Sequence, residues 1–429
     1  MEPDNNTAKA NQTASPNENI DSKEIKEPAR RPCKFYVARK KRYCRVGVLR
    51  NNDDYCAEHS INQGEENEDN KRIPCPFDPA HTCYEKLLSM HLKKCNMRPK
   101  EPKEYFSQGI NSDDICDTTN GDGPITLAEM SVEELRTLIS LVRSVHKEYV
   151  PQIPQKFGFH PDLGSEMLRT DVGESLMKHL VQNSSLLSIL DESKLLKDST
   201  CFIEFGSGKG ALTFWVASTC KSENCHFILL DRQSHRHKKD NKLKDAGLNV
   251  ERIRIDIEHL KLDKLPAVVD SKHLVGITKH LCGAATDMAL KCLLETNDEV
   301  SKVSGLALAT CCHHRCTWAG YVAKKYLEEW GLSEKYFKCL TGMAGWAVCG
   351  TGRAKFEDGP TEGSEVINNP RYAALNLSIE ERRKLGLQVK EILDHGRSLY
   401  AKSFGLTSAM YHYVDTSTTL ENVAIVASR

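Results

Sequence analysis

The sequence predicts an α/β fold in which a mostly parallel, Rossmann-like sheet follows two small metal-stabilised modules. Three observations carry that prediction. From about residue 200 to the C-terminus, short apolar runs alternate with helical patterns, and strands alternating with helices build a mostly parallel sheet. A glycine-rich turn, Glu204-Phe-Gly206-Ser-Gly208-Lys-Gly210, stands where the first of those runs gives way to a helix. Two arrays of cysteine and histidine, at 33–59 and 75–95, precede it.

A chain of 429 residues accommodates about two to three domains. Seventeen cysteines and no apolar N-terminal signal segment suggest an intracellular, reducing compartment: nucleus, cytoplasm or both. No apolar run approaches the roughly 20 residues that span a bilayer, so no membrane partner is expected. The formal net charge is +0, which excludes a chain that binds nucleic acid through bulk charge alone.

Residues 1–29 are rich in Asn, Glu, Lys, Ser and Pro and poor in large apolar groups, the composition of a disordered segment. Residues 30–62 carry the array Cys33-x10-Cys44-x11-Cys56-x2-His59, and residues 70–98 carry Cys75-x5-His81-x9-His91-x3-Cys95. Zinc prefers four thiolate and imidazole ligands in a tetrahedron. Segments of about 30 residues bury too little apolar surface to fold alone, so bound metal must supply the missing stability. His91 and Cys95 are one helical turn apart and can face one ion. Scattered ligands on two loops would need no metal, but eight such residues between 33 and 95 favour two structural Zn2+ sites. Cys83 is an alternative to His81 in the second.

The first module is also basic. Between residues 30 and 50 there are nine Lys or Arg and no acid, with Phe35, Tyr36 and Tyr43 interleaved. Cations neutralise phosphates and aromatic faces stack on bases, which suits RNA or DNA. A solvated basic face, or an import signal at Arg39, Lys40, Lys41 and Arg42, would leave the same composition.

Residues 99–128 contain Pro, Gly and Asp turns and read as a linker. Residues 129–197 form a helical lead-in. Ser131 and Glu134 make a capping-box pattern that opens a helix through about Tyr149, and a second helical region covers about 171–197. The α/β domain occupies 198–429. Its strands are expected at 201–205, at 226–230 ending on Asp231, at 252–255 ending on Asp256, at 274–278 and at 305–309. A helix is expected over about 317–330 and a long one over 380–404, with the last strands at 409–414 and 422–427. Residues 331–379 give no decisive period.

Glycines at a strand-to-helix turn let the backbone approach a ligand closely. Asp231, at the tip of the next strand, can accept both hydroxyls of a ribose. Asp256, at the tip of the third, can receive an adenine amino group. Ligands bind outside the carboxyl ends of such strands, and this set suits S-adenosylmethionine. Gly206-x-Gly208-x-x-Ala211 also satisfies the dinucleotide fingerprint, and a mere packing turn would carry glycines too. Glu204 argues for S-adenosylmethionine and against a dinucleotide, because a carboxylate there repels a pyrophosphate but favours the methionine ammonium group. The expected cofactor-binding set is Glu204, Gly206, Gly208, Gly210, Asp231 and Asp256.

Two further segments fall on the same rim. One is Lys279-His280-Leu-Cys282-Gly283, leading to Asp287. The other is Cys311-Cys312-His313-His314-Arg315-Cys316. Each could be a polar loop or a set of capping groups. A further zinc site at 311–316 is less suited, since six adjacent residues cannot all converge on one ion.

The two arrays, together with IEFGSGKGALT, KHLCGAATD, ATCCHHRC and ERRKLGLQVKEILDHGR, closely resemble a eukaryotic tRNA 2′-O-methyltransferase family that modifies the fourth nucleotide of the acceptor stem. The resemblance covers about 30–100 and 200–429. It implies a CCCH finger, a CHHC finger and a methyltransferase sheet. It also implies transfer from S-adenosylmethionine to a ribose hydroxyl of tRNAs such as those for glycine, proline and histidine. A ribose hydroxyl is a poor nucleophile at neutral pH, so transfer needs positioning and a general base. His313 and His314 are the first candidates, Lys279 and His280 the second; Lys279 or Arg315 could instead hold a phosphate. Two other functions compete. A cytosine-C5 methyltransferase would use Cys311 as nucleophile. A zinc-dependent RNA-binding protein would carry an inactive domain, against which Glu204, the glycines and both aspartates argue.

Overall fold

The computed structural model describes residues 31–37, 42–48, 54–56, 59, 71–95, 97–98, 103–113, 125–220, 224–235, 239–349, 374–375 and 377–429. The segment 1–29, residues 114–124 and the basic residues Arg39, Lys40 and Lys41 lie outside the described residues. The chain divides into two compact units, Met1–Glu101 and Pro102–Arg429.

In the first unit, β1 (Tyr36–Val37) and β2 (Arg42–Tyr43) form an antiparallel ribbon with Tyr36 opposite Tyr43. Among the described residues its apolar core is Cys33, Val48 and Cys56, with Phe35, Cys44 and Tyr55 packed around them. The hairpin β3 (Arg72–Cys75) and β4 (Asp78–Tyr84) leads into a short helix, Leu88–Lys94. Cys75, Cys83 and Cys95 are buried there, while the helix buries none of its own residues. Cores this small leave the folding energy to the metal.

The second unit is built on a seven-stranded sheet. Its strands are β5 (Thr200–Phe205), β6 (His226–Asp231), β7 (Asn249–Arg254), β8 (His273–Cys282), β9 (Val303–Cys311), β10 (Thr407–His412) and β11 (Val423–Ser428). The order across the sheet is β10-β11-β9-β8-β5-β6-β7. Strands β5 to β9 pair in parallel, and β11 runs antiparallel to both β9 and β10. Every residue of β5 and β9 is buried, as expected of parallel strands covered on both faces. Alternation divides the core. Ile203 and Phe205 pack with the helices Val132–Tyr149, Glu334–Ala344 and Ile379–Ser403. Phe202 faces the opposite layer, with Glu174–Glu192 and Ala211–Thr219. The result is the Rossmann-like α/β sheet read from the sequence.

The capping box on Ser131 and Glu134 is present, and Ser378 with Glu381 makes a second at the head of the long helix. Two elements differ from expectation. The helix anticipated over 317–330 shrinks to Lys324–Glu329. Tyr321 turns inward, fully buried, so that its hydroxyl donates to the carbonyl of Leu393 at 2.8 Å. The strand anticipated at 274–278 continues to Cys282. Past an irregularity between Thr278 and Leu281, it resumes pairing with β9 through Leu281–Thr310 and Cys282–Cys311. No helix among the described residues is long and apolar enough to cross a membrane.

Candidate functional site

The two arrays close into two clusters. The ligand atoms of Cys33, Cys44, Cys56 and His59 lie within 4.8 Å of one another, as do those of Cys75, His81, His91 and Cys95. Nδ1 of His59 is 3.4 Å from the sulfurs of both Cys33 and Cys56, and Phe35 stacks on its ring at 3.9 Å. In the second cluster the Cys75 and Cys95 sulfurs are 3.7 Å apart, and the His81 and His91 Nε2 atoms 3.2 Å. Zinc–ligand bonds of about 2.0–2.3 Å in a tetrahedron place ligand atoms about 3.3–3.8 Å apart, so both clusters fit the ion. Asp78 Oδ2 lies 3.4 Å from His81 Nδ1, a carboxylate partner that leaves Nε2 for metal. Cys83 is buried on β4 and is not a member of that cluster.

In the second unit, β6 and β7 extend the sheet to one side of β5 while β8 and β9 extend it to the other. The switch point, where such sheets bind ligands, lies between β5 and β8. The glycine turn leaves β5 at this point. Gly208 has φ +51 and nothing within 4 Å of where a Cβ would stand; at Gly210, φ +74, a Cβ would lie 2.6 Å from Leu229. One glycine therefore opens space for a ligand, and the other lets the turn pack on β6.

Two of the three expected acids stand at the turn, and the third lies further along the rim. Asp231, the last residue of β6, accepts from Gly208 N at 2.8 Å and from Gln233 N at 2.7 Å. Glu204 is buried and accepts from Thr213 N at 3.1 Å and Thr213 Oγ1 at 2.5 Å. Burial pushes its carboxyl up to about 7, partly offset by those hydrogen bonds. Asp256 stands two residues beyond β7 and accepts from Glu258 N at 3.3 Å.

Arg252, on β7, was not singled out in the sequence, where a charged strand residue reads as solvent-facing. It donates to Ser207 Oγ at 3.1 Å and Gly208 O at 2.9 Å, and its Nε donates to Asp240 at 3.0 Å. This brace fixes the turn from the β7 side.

On the rim, Lys279 sits at the β8 irregularity with Nζ 3.5 Å from His179 Nδ1. Burial lowers its ammonium to about 8, with Glu204 acting in the opposite direction. His280, His314 and Arg315 are exposed. His313 is 2% exposed, with Nε2 2.9 Å from Asp394 Oδ2. Asp394 also accepts from Thr310 Oγ1 at 2.7 Å and Arg397 Nη1 at 2.9 Å. Arg397, wholly buried, pairs with Asp287 through Nε at 3.0 Å and Nη2 at 2.6 Å, and reaches Cys316 Sγ at 3.1 Å. The loops after β8 and β9 are thus locked to the Ile379–Ser403 helix by one buried ionic cluster. Cys311 is 3% exposed, with its sulfur 3.8 Å from that of Cys282.

The sequence profile described as Methyltransferase TRM13 matches residues 181–428. The chain belongs to the TRM13 methyltransferase family. The profiles described as CCCH zinc finger in TRM13 protein and U11-48K-like CHHC zinc finger match residues 31–60 and 72–96. A relative in Homo sapiens, named tRNA:m(4)X modification enzyme TRM13 homolog, is 35% identical over 93% of this chain and 95% of its own. The tRNA:m(4)X modification enzyme TRM13 of Schizosaccharomyces pombe is 34% identical over 84% of this chain and 96% of its own. That of Saccharomyces cerevisiae is 29% identical over 94% and 97%. Among solved structures, coclaurine N-methyltransferase aligns with a TM-score of 0.27 at 15% identity, covering 71% of this chain and 96% of its own.

The residues of this TRM13 methyltransferase fit S-adenosylmethionine. The open space at Gly208 and the strand-end acid Asp231 lie side by side on the carboxyl rim. Of the sequence-derived candidates, the structure gathers Glu204, the three glycines and Asp231 around one turn and sets Asp256 just past the end of β7. It separates His313, which is buried on Asp394, from His314, which faces solvent.

Proposed function

We propose that this TRM13 methyltransferase transfers a methyl group from S-adenosylmethionine to the ribose 2′-hydroxyl of nucleotide 4 in the acceptor stem of tRNA, of the glycine, proline and histidine type. One observation carries the reading. A glycine turn with open space at Gly208, held by the strand-end acid Asp231, lies at the switch point of the sheet in a chain whose relatives are named tRNA:m(4)X modification enzymes.

When bound, the cofactor supplies an electrophilic methyl group. Glu204 would face its ammonium, Asp231 its ribose and Asp256 its adenine. The chain must then orient the target ribose and accept one proton. Lys279 is the proposed base: an ammonium lowered to about 8 spends part of its time neutral near physiological pH and can take the hydroxyl proton. His280 and His314 are proposed to contact the nucleotide, with Arg315 on a phosphate. His313 is proposed to act through Asp394 by holding the loop after β9. In the CCCH finger, Tyr36 and Tyr43 are 51% and 64% exposed and meet edge to face at 5.4 Å, which supports stacking on bases beside Arg42. The cysteine-rich composition supports a reducing intracellular setting, nuclear or cytoplasmic.

The test is methyl transfer from labelled cofactor to total tRNA, with nuclease digestion and mass spectrometry of the product. A 2′-O-methylated nucleotide at position 4 is expected. A methylated base, with a fluorocytosine-trapped complex that disappears in Cys311→Ala, would overturn the ribose assignment.

A further inference from the structure

Three thiols outside the two fingers converge on the rim of the sheet. The sulfurs of Cys282, Cys311 and Cys312 all lie within 4.8 Å of one another. Cys282 and Cys311 stand opposite each other at the ends of the parallel strands β8 and β9. Their sulfurs are 3.8 Å apart, and the ligand sulfurs Cys75 and Cys95 of the CHHC finger are 3.7 Å apart. The match is to the sulfur–sulfur edge of a tetrahedral thiolate site.

Adjacent residues of a strand point to opposite faces, so Cys311 and Cys312 could not share a ligand if the strand ran on. It does not run on. Cys312 has φ 52, a left-handed conformation that only two other non-glycine residues adopt among the described ones. That turn brings the third sulfur to the side of the other two. The Arg397–Asp287–Asp394 cluster, which reaches Gly283 O at 3.4 Å and Thr310 Oγ1 at 2.7 Å, fixes residues flanking all three thiols.

We propose that Cys282, Cys311 and Cys312 form a third metal site, taking one thiophilic divalent ion of the zinc type. Three thiolates select such an ion over magnesium or calcium, which want oxygen ligands. No fourth His, Cys, Asp or Glu ligand atom joins the group among the described residues. Three protein ligands leave a tetrahedral ion one exchangeable position, unlike the closed four-ligand fingers. The site is a separate matter from which atom of the RNA is methylated, and its test does not use activity.

The full chain, prepared reduced and zinc-replete, is expected to hold three equivalents of zinc, and Cys312→Ser two. Cys312 is partly exposed, and serine keeps nearly the same volume. Loading both proteins with cobalt(II) should give a parent-minus-variant difference spectrum with thiolate-to-metal charge transfer. On the parent alone, iodoacetamide labelling of Cys282 and Cys312 should be slow with zinc and fast after chelation; this arm decides the matter if the variant does not fold. Equal zinc content in parent and folded variant, or equal labelling with and without zinc, would overturn the site. So would a Cys282–Cys311 disulfide in the reduced, zinc-loaded protein.

Discussion

At Lys279 burial does the chemical work that solution would undo. Removing water from the ammonium favours the neutral amine, and the nearby Glu204 only partly opposes it, leaving the group at about 8. If the neutral amine is the base, kcat/KM should rise with pH as Lys279 loses its proton and level off above about 8. Lys279→Met should abolish that limb and lower kcat by about 10²–10⁴, the range for a lost general base. An unchanged pH profile in the variant would remove Lys279 from the reaction. The turn beside it is tested by binding. Gly208→Trp fills the space left open at Gly208, and Asp231→Ala removes both the acceptor for Gly208 N and the proposed ribose partner. Each should weaken S-adenosylmethionine binding in calorimetry while circular dichroism stays unchanged. Parent-like affinity in both would mean that the donor binds elsewhere.

Among the elements, the long Ile379–Ser403 helix is the one that ties the rim together. Arg397→Met removes the guanidinium that Asp287 and Asp394, both buried, share, and loss of one partner of a buried pair costs about 3–5 kcal/mol. Urea unfolding should show that loss; a change under about 1 kcal/mol would mean that the cluster contributes little, on the scale of an exposed pair. The same cluster sets an acid limit. Burial alone would raise Asp394, but His313 and Arg397 outweigh it and hold it at about 2, below the ordinary 3.8. A depressed carboxyl stabilises the fold above its unfolded value, so this contribution is complete above about pH 4 and fades as pH falls toward 2. The stability gap between the parent and Asp394→Asn should shrink over that window. The CHHC finger is a different case, because its folding energy is the metal's. Cys75→Ala or Cys95→Ala should lose one zinc and unfold residues 70–98 while leaving the sheet intact, which metal analysis and hydrogen exchange can check. The sequence made the strands of the sheet legible because β5, β6 and β9 are mainly apolar runs bounded by glycine, aspartate or cysteine. It could not show that β8 resumes past Lys279 and His280, since pairing with β9 decides that. Nor could it show the ionic cluster, whose members Asp287 and Arg397 are separated by 110 residues. The two fingers were the opposite case, because ligand spacing is local.

For the whole molecule the decisive quantity is where the charge lies. The chain is neutral, yet the CCCH finger concentrates nine cations in the stretch from 30 to 50 without an acid. A neutral protein gains no general attraction to RNA, so whatever the finger contributes must come from local phosphate contacts and base stacking. Arg42 and the exposed pair Tyr36 and Tyr43 share the β1–β2 ribbon, while Arg39, Lys40 and Lys41 precede Arg42 in the sequence. Neutralising Arg39, Lys40, Lys41 and Arg42 together should raise the KM for tRNA and flatten its salt dependence by about one unit of slope per lost phosphate contact. Tyr36→Ala with Tyr43→Ala should weaken binding by about 1–3 kcal/mol for each stacked base without altering the salt slope, because stacking releases no counterions. Cofactor affinity should stay constant in both variants. This separation of slope from intercept distinguishes a recognition surface from an import signal: a quadruple variant that binds tRNA with the parent's affinity and salt slope would leave the basic run with no part in holding the substrate.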